Sequence, residues 1–429
     1  MPSRRLFCLA VALLPALFSN AQSISRSDQD RDAYREEPGY YQKAYSDASD
    51  PQFMFTDGLG KLAIGFGGTV HVSGFFDFAG SLDSHSFTTS SIPVPTDRAI
   101  HSGYSTNSSN IYLKARSTIA GLKIIAYIEV EDNDTDTGDV VMISQAYVSL
   151  GSFTVGKTYS FFQDLEAGAR TVDLAGPNTQ VDRMHPLVGY TRKIGSRFSA
   201  ALGIEKPSEI SSKFKDTELV TAEYTRFPDV TAHFKYHGDQ GHVQLGLIWR
   251  ELGYWASNEG FEDVTKGKSV YKSGVGVALS GNLRPTDRLT LSGQVVTGKG
   301  ISSYIRDLGG LNANMVEESW LDSDNNTVLA PTAAAGGFVA ASYRWSEHFE
   351  SSVIYGLCHI HKEENQYAAD YFRTSHYAAA NLFYFLTPNC YVGAEYDFGS
   401  KSTYKNLQTG APASIGHANR FNTGLVYRF

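Results

Sequence analysis

The chain has 429 residues, with 37 Lys and Arg against 45 Asp and Glu, and a formal net charge of −8 at pH 7. This acidic balance argues against a nucleic-acid-binding protein, which would carry a concentrated basic surface. Mean hydropathy is −0.25, and after residue 21 no apolar run approaches the roughly 18 to 20 residues that a membrane-spanning helix needs.

Residues 1–21 have the pattern of a cleaved secretory signal. Arg4 and Arg5 precede an apolar run over residues 6–18, and Ser19-Asn20-Ala21 is typical of a cleavage site. Removal of the two arginines would change the net charge from −8 to about −10. The sequence therefore predicts an exported protein.

Residues 22–64 form a short segment of different composition. They are acidic and rich in Tyr, and Pro38 and Pro51 interrupt them. We expect a mostly irregular periplasmic segment that precedes the first membrane strand.

Seven short breaks rich in Gly, Pro, Asn and Asp divide the rest of the chain into segments of strand length. Longer polar segments alternate with them, as in bacterial barrels with short periplasmic turns and long outer loops. Seven periplasmic turns imply sixteen strands. Residues 217–226 look strand-like, but a strand there would make the number odd, so we assign them to an outer loop. The breaks lie at residues 119–121, 151–152, 195–196, 238–241, 284–287, 346–347 and 387–389.

Side chains alternate between apolar and polar along the predicted strands. In the segment 122–131, Ile124 and Ile128 share one face, whereas Tyr127 and Glu129 share the other. The last segment alternates in the same way up to an aromatic residue, Phe429. The predicted strands are 65–78, 109–118, 122–131, 140–150, 153–159, 185–194, 197–205, 229–237, 242–253, 270–283, 288–298, 336–345, 348–361, 374–386, 390–399 and 415–429.

Alternation alone would also fit a soluble sandwich, whose polar face is outside and whose apolar face is a dry core. The signal, the terminal aromatic residue and the asymmetry of turns and loops favour a membrane barrel. We therefore predict an all-β fold, a transmembrane antiparallel β-barrel of 16 strands over residues 65–429. Sixteen strands enclose a water-filled lumen, whereas about eight would be filled by their own side chains.

Four stretches of the sequence resemble the DcaP-like family of trimeric outer-membrane porins. They are residues 145–164, residues 171–178 with Asp173 and a Gly-Pro-Asn, residues 227–229 and residues 241–245. The resemblance implies a homotrimer in the Gram-negative outer membrane, surrounded by its lipid, with an inward-folded third loop. It also implies passage of small anionic solutes such as dicarboxylates. Some members have an amino-terminal coiled coil, which we do not expect here.

The candidate constriction is the segment 160–184, which follows the fifth predicted strand and is long enough to fold into the lumen. Phe161, Phe162 and Leu165 are candidate anchors. Several charged side chains of this segment would then reach the lumen, and the alternative is a loop that covers the outer mouth. The charged residues are Asp164, Glu166, Arg170, Asp173, Asp182 and Arg183.

Basic residues form a predicted stripe on the inward faces of the last strand and the first three strands, which are neighbours in a closed barrel. Such a row attracts anions, and Arg can bind a carboxylate through two hydrogen bonds. We expect an anion to pass between this stripe and the third loop, with Arg170 or Arg183 completing the site. Arg250 is a further inward cation. The stripe consists of His71, Lys114, Arg116, Lys123 and Arg420.

Inward acids such as Glu129 and Glu395 weaken the case for a purely positive lumen. In a non-selective general porin, basic wall residues and acidic loop residues create only a transverse field, and this alternative remains open. A surface adhesin that works through residues 79–108 and 299–335 is a third possibility. We find no nucleophile motif, cofactor-binding motif or full set of metal ligands, so the sequence predicts neither an enzyme nor a cofactor.

Overall fold

A computed structural model of the protein describes residues 53–56, 62–80, 82, 85–97, 100–135, 138–173, 175–207, 220–222, 225–257, 267–311, 313–321, 327–363, 366–367, 372–405 and 410–429. The predicted signal at residues 1–21 lies outside these residues, as does most of the segment 22–64. Among the described residues, no helix is long and apolar enough to cross a membrane.

Sixteen antiparallel strands of the described chain form the wall of a closed barrel, which confirms the predicted fold class and strand number. Each strand pairs with the next wall strand, and the first pairs with the last. The wall strands are β2 (Leu62–Ala79), β4 (Asn110–Ile119), β5 (Leu122–Thr135), β6 (Gly138–Leu150), β7 (Phe153–Tyr159), β8 (Met184–Ile194), β9 (Phe198–Glu205), β11 (Asp229–Gly238), β12 (Gly241–Ser257), β13 (Gly267–Thr286), β14 (Leu289–Lys299), β17 (Ala333–Arg344), β18 (Phe349–His361), β20 (Phe372–Thr387), β21 (Cys390–Thr403) and β22 (Ile415–Arg428).

All seven predicted short breaks are turns between neighbouring wall strands. Tight turns join β4 to β5 and β6 to β7, for example, and Ala120 and Gly151 in these turns have positive φ angles. At the opposite end of the barrel, longer segments join the wall strands. The short turns therefore mark the periplasmic end of the barrel and the long loops its outer end.

Alternation along the strands separates a lipid-facing surface from the lumen, as predicted. On β12, Val243, Leu245 and Leu247 are exposed, whereas Gln244 and Arg250 are buried. Because nothing in the described chain covers the outside of the wall there, the buried set faces the lumen. Apolar side chains on the outside can contact the hydrocarbon of the bilayer without burying a polar group there. A membrane barrel requires such a surface.

The first wall strand has partners that the sequence did not predict. The strand β1 (Phe53–Thr56) pairs with residues 63–66 of β2, in a segment that we expected to be irregular. The last strand, β22, pairs with residues 69–79 of β2 and leaves the earlier residues of that edge open. The strand β1 pairs with this open edge. The strand β3 (His101–Ser105) pairs with the outer half of β2, above the pairing of β4.

Further short strands lie at the outer end. The strand β10 (Val220–Ala222) lies in the segment assigned to an outer loop, and it pairs with the outer end of β12 without entering the wall. The strands β15 (Met315–Leu321), β16 (Thr327–Pro331) and β19 (Gln366–Tyr367) form a separate small sheet. Neither group changes the number of wall strands.

Candidate functional site

The segment that follows β7, residues 160–183, runs along the lumen side of the wall, and we call it the third-loop segment. Phe161 packs against the ring of His233 at 5.8 Å between centroids, and Phe162 is buried. A Cβ at Gly189 would overlap the Phe161 ring, so a glycine on the wall leaves room for this anchor. Both predicted aromatic anchors contact inward-facing wall residues.

Asp164 attaches the first half of the third-loop segment to three wall strands. Its carboxylate lies 3.1 Å from Nζ of Lys235, 2.7 Å from Nε2 of His242 and 2.7 Å from Oγ of Ser280. Burial alone would raise the pKa of Asp164, but the hydrogen bond with His242 and the charge of Lys235 outweigh it and keep the pKa well below its usual range. A buried, charged network therefore fixes this part of the loop.

The second half of the segment contacts the opposite part of the wall. The Glu395 carboxylate accepts hydrogen bonds from the backbone N–H groups of Val172 and Asp173, at 3.0 and 2.8 Å. Asn178 donates to Oγ of Ser375 at 3.0 Å. The two bonds to Glu395 satisfy backbone N–H groups that would otherwise be buried without partners.

A segment of the sixth outer loop, residues 300–314, also lies inside the barrel. Arg250 of β12 is fully buried and donates through Nη1 to the Gly300 carbonyl, Ser303 Oγ and Asn314 Oδ1 at 3.1, 2.7 and 3.2 Å. Its Nε lies 3.4 Å from Oδ2 of Asp229. This sixth-loop segment includes the short helix Arg306–Gly309. It pairs with the third-loop segment through a single β-bridge between Ile305 and Val181.

A segment of the first outer loop, residues 85–97, contacts both of the other two. Asp173 Oδ2 accepts a hydrogen bond of 2.5 Å from the Phe87 N–H, and Asp307 accepts bonds from the Thr89 hydroxyl and the Ser90 N–H. Burial raises the pKa of Asp173 and raises that of Asp307 to about 7. Three segments distant in sequence therefore meet at two buried carboxyl groups.

A cavity of about 420 Å³ lies between the third-loop segment and the inward faces of β2 to β7. We call it the passage cavity. Cations and acids both line it, and Asp182 and Arg306 form an ion pair there. Its ionisable lining residues are His71, His85, Glu131, Asp132, Lys157, Asp173, Asp182, Arg183 and Arg306.

A second cavity, of about 470 Å³, lies nearer the periplasmic turns, between the first half of the third-loop segment and β7 to β11. Phe161 and Phe198 supply apolar lining, and Lys193 and Lys235 supply cations. Lys235 is within 3.1 Å of both Asp164 and Glu166. The second cavity therefore has a mixed apolar and polar lining.

Three of the predicted site arginines form buried or half-buried contacts away from the passage cavity. Arg250 attaches the sixth-loop segment, as described. Arg420 is fully buried and binds Asp77 through Nε and Nη2, at 2.6 and 2.9 Å. Arg170 lies 3.4 Å from Glu350 and 5.5 Å from the centroid of the Phe385 ring. These contacts partly neutralise their charges.

The predicted basic stripe is spread along the height of the wall. Arg420 lies opposite Asp77 of β2, and Lys114 lies opposite Gly65 of the same strand. Arg420 and Lys114 are therefore separated by twelve residues of β2, or about 40 Å along the strand. Lys114 is buried and Arg116 half-buried, whereas Lys123 is exposed beside the first periplasmic turn. Of the stripe, His71 alone lines the passage cavity, where its Nδ1 lies 2.7 Å from the Asn107 carbonyl oxygen.

Two predicted site residues of the third-loop segment do line the passage cavity, namely Asp173 and Arg183. The Nε of Arg183 is buried and has no hydrogen-bond partner among the described residues.

Sequence reasoning missed Arg306, because nothing in the long loop 299–335 indicates that its first part enters the lumen. It also missed Lys157, which lines the cavity although the alternation of β7 places it on the same face as the exposed Phe153 and Val155. Within the described chain, no group of three or more His, Cys, Asp or Glu side chains is arranged to bind a metal.

Comparisons with known proteins agree with this architecture. A family model described as a porin subfamily matches residues 101–423. The outer membrane channel DcaP of Acinetobacter baumannii superimposes with a TM-score of 0.69 and 17% identity, over 87% of this chain and 99% of that chain. Sequence comparison with curated proteins gives no match.

Two other solved structures share the fold at lower similarity. OmpT of Vibrio cholerae, solved in a trimer form, has a TM-score of 0.54 and 14% identity over 86% of this chain and 100% of that chain. An anion-selective porin from Comamonas acidovorans has a TM-score of 0.52 and 12% identity over 86% of this chain and 100% of that chain. At such identities the likeness concerns the fold alone.

Proposed function

The chain belongs to the porin subfamily and is an outer-membrane channel of a Gram-negative bacterium, and from this premise we propose that it admits small hydrophilic solutes by passive diffusion with a preference for anions such as dicarboxylates. We also propose that it works as a homotrimer. The trimer form of OmpT supports that assembly by likeness of fold.

The observation that carries the anion preference is the state of Arg183 in the passage cavity. Arg183 lines the cavity and is only half-buried, and its Nε makes no hydrogen bond within the described chain, so the accessible part of its guanidinium can bind an anion. Asp182, the acid beside it in sequence, already contacts Arg306. A guanidinium in a narrow, partly desolvated space attracts carboxylates strongly and binds them in a defined geometry.

Two carboxylates on one solute would find more than one cation in this cavity. Lys157 and Arg306 line it together with Arg183. The Nζ of Lys157 donates one hydrogen bond to the Ile143 carbonyl at 2.6 Å, and the ammonium group has further donors for a second carboxylate. Lys114 and Arg116 would extend the positive potential along the wall outside the cavity. This arrangement suits a dicarboxylate better than a monovalent anion.

Non-selective diffusion is the second candidate, and one observation favours it. Glu131 and Asp132 line the same cavity on the wall opposite the third-loop segment. Acids on one side and cations on the other create a transverse field, which orients dipolar solutes without favouring one sign of charge.

Reversal potentials in planar bilayers under a KCl gradient distinguish the two candidates. If anions are preferred, the wild-type channel has a chloride-to-potassium permeability ratio above one, and Arg183→Gln reduces that ratio by about twofold. Excess salt reduces the preference, because the screening length falls to about 3 Å at 1 M. A wild-type ratio of one, or a ratio that Arg183→Gln leaves unchanged, contradicts the proposal.

Two further variants make the test specific. Arg197→Gln removes the same charge at a periplasmic turn, where the side chain is about half exposed, and it should leave the ratio unchanged. Arg116→Gln tests the wall stripe, and we expect a smaller decrease than for Arg183→Gln because Arg116 lies outside the passage cavity. Blocking of the current by a dicarboxylate such as succinate, weakened in Arg183→Gln, would support the proposed solute class.

A further inference from the structure

The lipid-facing surface of β18, β20 and β21 changes character near the outer end of the barrel. On β18 the outward residues Val353 and Tyr355 are 65% and 47% exposed, and on β21 Tyr396 is 47% exposed. Toward the outer loops, imidazole, hydroxyl and guanidinium groups replace these apolar and aromatic side chains. This change marks the level at which the wall leaves hydrocarbon and meets lipid headgroups.

Five basic or imidazole side chains occur together at that level, and we call them the rim patch. The strand register brings them together, because His359 pairs with Thr374 and Leu357 pairs with His376. The His359 and His361 rings lie 6.3 Å apart between centroids. The rim patch consists of His359, His361, Lys362, Arg373 and His376.

Tyr404 positions the two permanent cations of the rim patch. The Arg373 Cζ lies 5.6 Å and the Lys362 Nζ 5.9 Å from the centroid of its ring. The Tyr404 hydroxyl donates to the Ile360 carbonyl at 3.0 Å, which fixes the ring. Two cations held beside one aromatic ring on an exposed surface form a ready site for an anionic group.

The imidazoles of the rim patch are also oriented by the strands. Nδ1 of His359 lies 2.9 Å from Oγ1 of Thr374, and Nδ1 of His376 lies 2.8 Å from the Tyr355 hydroxyl. These contacts occupy Nδ1 of each ring, so that Nε2 is the nitrogen that remains for a ligand.

Charge on this face is unbalanced. Within the described residues of β18, β20 and β21, the outward faces contain no Asp or Glu, and Glu363 in the following loop is the next acid in the chain. Elsewhere on the outer surface a cation is matched by an acid. Arg226 lies 2.6 Å from Glu251 and 3.8 Å from the Tyr271 ring centroid. Among the residues that the structure describes, the rim patch therefore has the cation and aromatic ring of that site without its carboxylate.

We propose that the rim patch binds the phosphate groups of the glycolipid that forms the outer leaflet of the membrane. The patch lies directly above apolar side chains that contact acyl chains, so one lipid molecule can occupy both levels at once. Guanidinium binds phosphate through two hydrogen bonds, and the ammonium and imidazole groups add further donors. This inference concerns the lipid-facing surface and does not depend on the selectivity of the channel.

Purified full-length protein in detergent micelles, titrated with diphosphoryl lipid A and examined by native mass spectrometry, tests the proposal. The double variant Lys362→Gln and Arg373→Gln should raise the dissociation constant by about tenfold, since each basic residue near a membrane surface contributes a factor of several to anionic lipid binding. Arg373→Lys, which keeps the charge and loses the paired geometry, should lie between this variant and the wild type.

The matched control removes two positive charges from the other end of the barrel. Arg284 at the periplasmic end of β13 and Arg288 just before β14 are both exposed, so the double variant Arg284→Gln and Arg288→Gln should bind diphosphoryl lipid A as the wild type does. Equal affinity of the wild type and the rim variant overturns the proposal. Equally tight binding of dephosphorylated lipid A, or displacement of lipid A by millimolar inorganic phosphate, also overturns the assignment to a lipid phosphate. Bilayer conductance of the rim variant should equal that of the wild type.

Discussion

One side of the lumen, formed by β11 to β22, carries the loop segments, and the other, formed by β2 to β7, faces the passage cavity. On the loop-bearing side, Arg250 and Lys235 are buried and contact the acids Asp229 and Asp164. On the cavity side, Lys157 and Glu131 line open space together with Arg183 of the third-loop segment. Both sides are rich in charge, but the charges contact different partners.

The difference shows that an inward-facing cation does not by itself indicate a role in permeation. Charges on the loop-bearing side are desolvated and matched, so they position the segments that narrow the lumen. Charges around the passage cavity can interact with a solute, because part of their surface is open. Three predictions test this division, and they are ordered from the largest expected effect to the smallest.

Arg250→Met should cause the largest loss of stability. It leaves the Asp229 carboxylate buried without its cation and removes three hydrogen bonds to the sixth-loop segment. Breaking a buried pair in this way costs about 3–5 kcal/mol. Thermal unfolding in detergent, followed by the change in electrophoretic mobility, measures the loss.

Two further variants show whether the buried pair is responsible. Adding Asp229→Asn to Arg250→Met should recover part of the stability, because the unpaired charge is gone. Arg197→Met at the exposed periplasmic turn should change stability by less than about 0.5 kcal/mol. If Arg250→Met were as mild as Arg197→Met, the loop-bearing side would not depend on matched charge.

Asp307→Asn should remove a pH dependence of stability. The pKa of Asp307 is raised by burial from 3.8 to about 7, so folding favours the protonated carboxyl. Its stabilising contribution is complete below pH 3.8 and is lost as the pH rises through 7. The wild-type midpoint of thermal unfolding should therefore fall across this window, corresponding to roughly 1–4 kcal/mol, whereas Asp307→Asn should give a flatter profile.

The control for this pH profile is an exposed acid. Asp239 has a side chain that is 87% exposed at a periplasmic turn, so folding does not remove it from water and Asp239→Asn should keep the wild-type slope. A slope that survives in Asp307→Asn would assign the pH dependence to other groups.

Glu131→Gln should have the smallest effect, a change in selectivity without a change in stability. Glu131 lines the passage cavity on the wall opposite Arg183, and loss of its charge should raise the chloride-to-potassium permeability ratio by roughly 1.5-fold. Reversal potentials measure this ratio. Glu347→Gln, at an exposed periplasmic turn, should leave it unchanged, and an equal shift in both variants would mean that the cavity does not determine selectivity.

The wall could be predicted from the sequence because it depends on short-range rules. Period-two alternation and the short breaks between segments predicted the sixteen strands and all seven turns, and Val243 and Arg250 lie on the predicted faces of their strand. The strand β1 was missed, because its pairing depends on how far β22 extends along β2.

The partners of the inward charges could not be predicted in this way. Whether Arg420 faces solvent or an acid depends on strand register, which places Asp77 beside it. Whether Asp173 is accessible depends on the first-loop segment that covers it through Phe87. Sequence patterns predict whether a side chain faces the lumen or the lipid. They do not predict the long-range contacts that bring an acid beside a given cation.

The bond between Thr89 and Asp307 joins residues that are 218 positions apart. Both residues lie on loop segments inside the barrel, so this bond can form only once the wall strands that hold those segments are in place. The narrow part of the lumen would accordingly be completed only after most of the wall has been inserted. A molecule arrested just before that step would be a wide, unselective hole in the membrane, so the cell has reason to make the final closure of the loops fast.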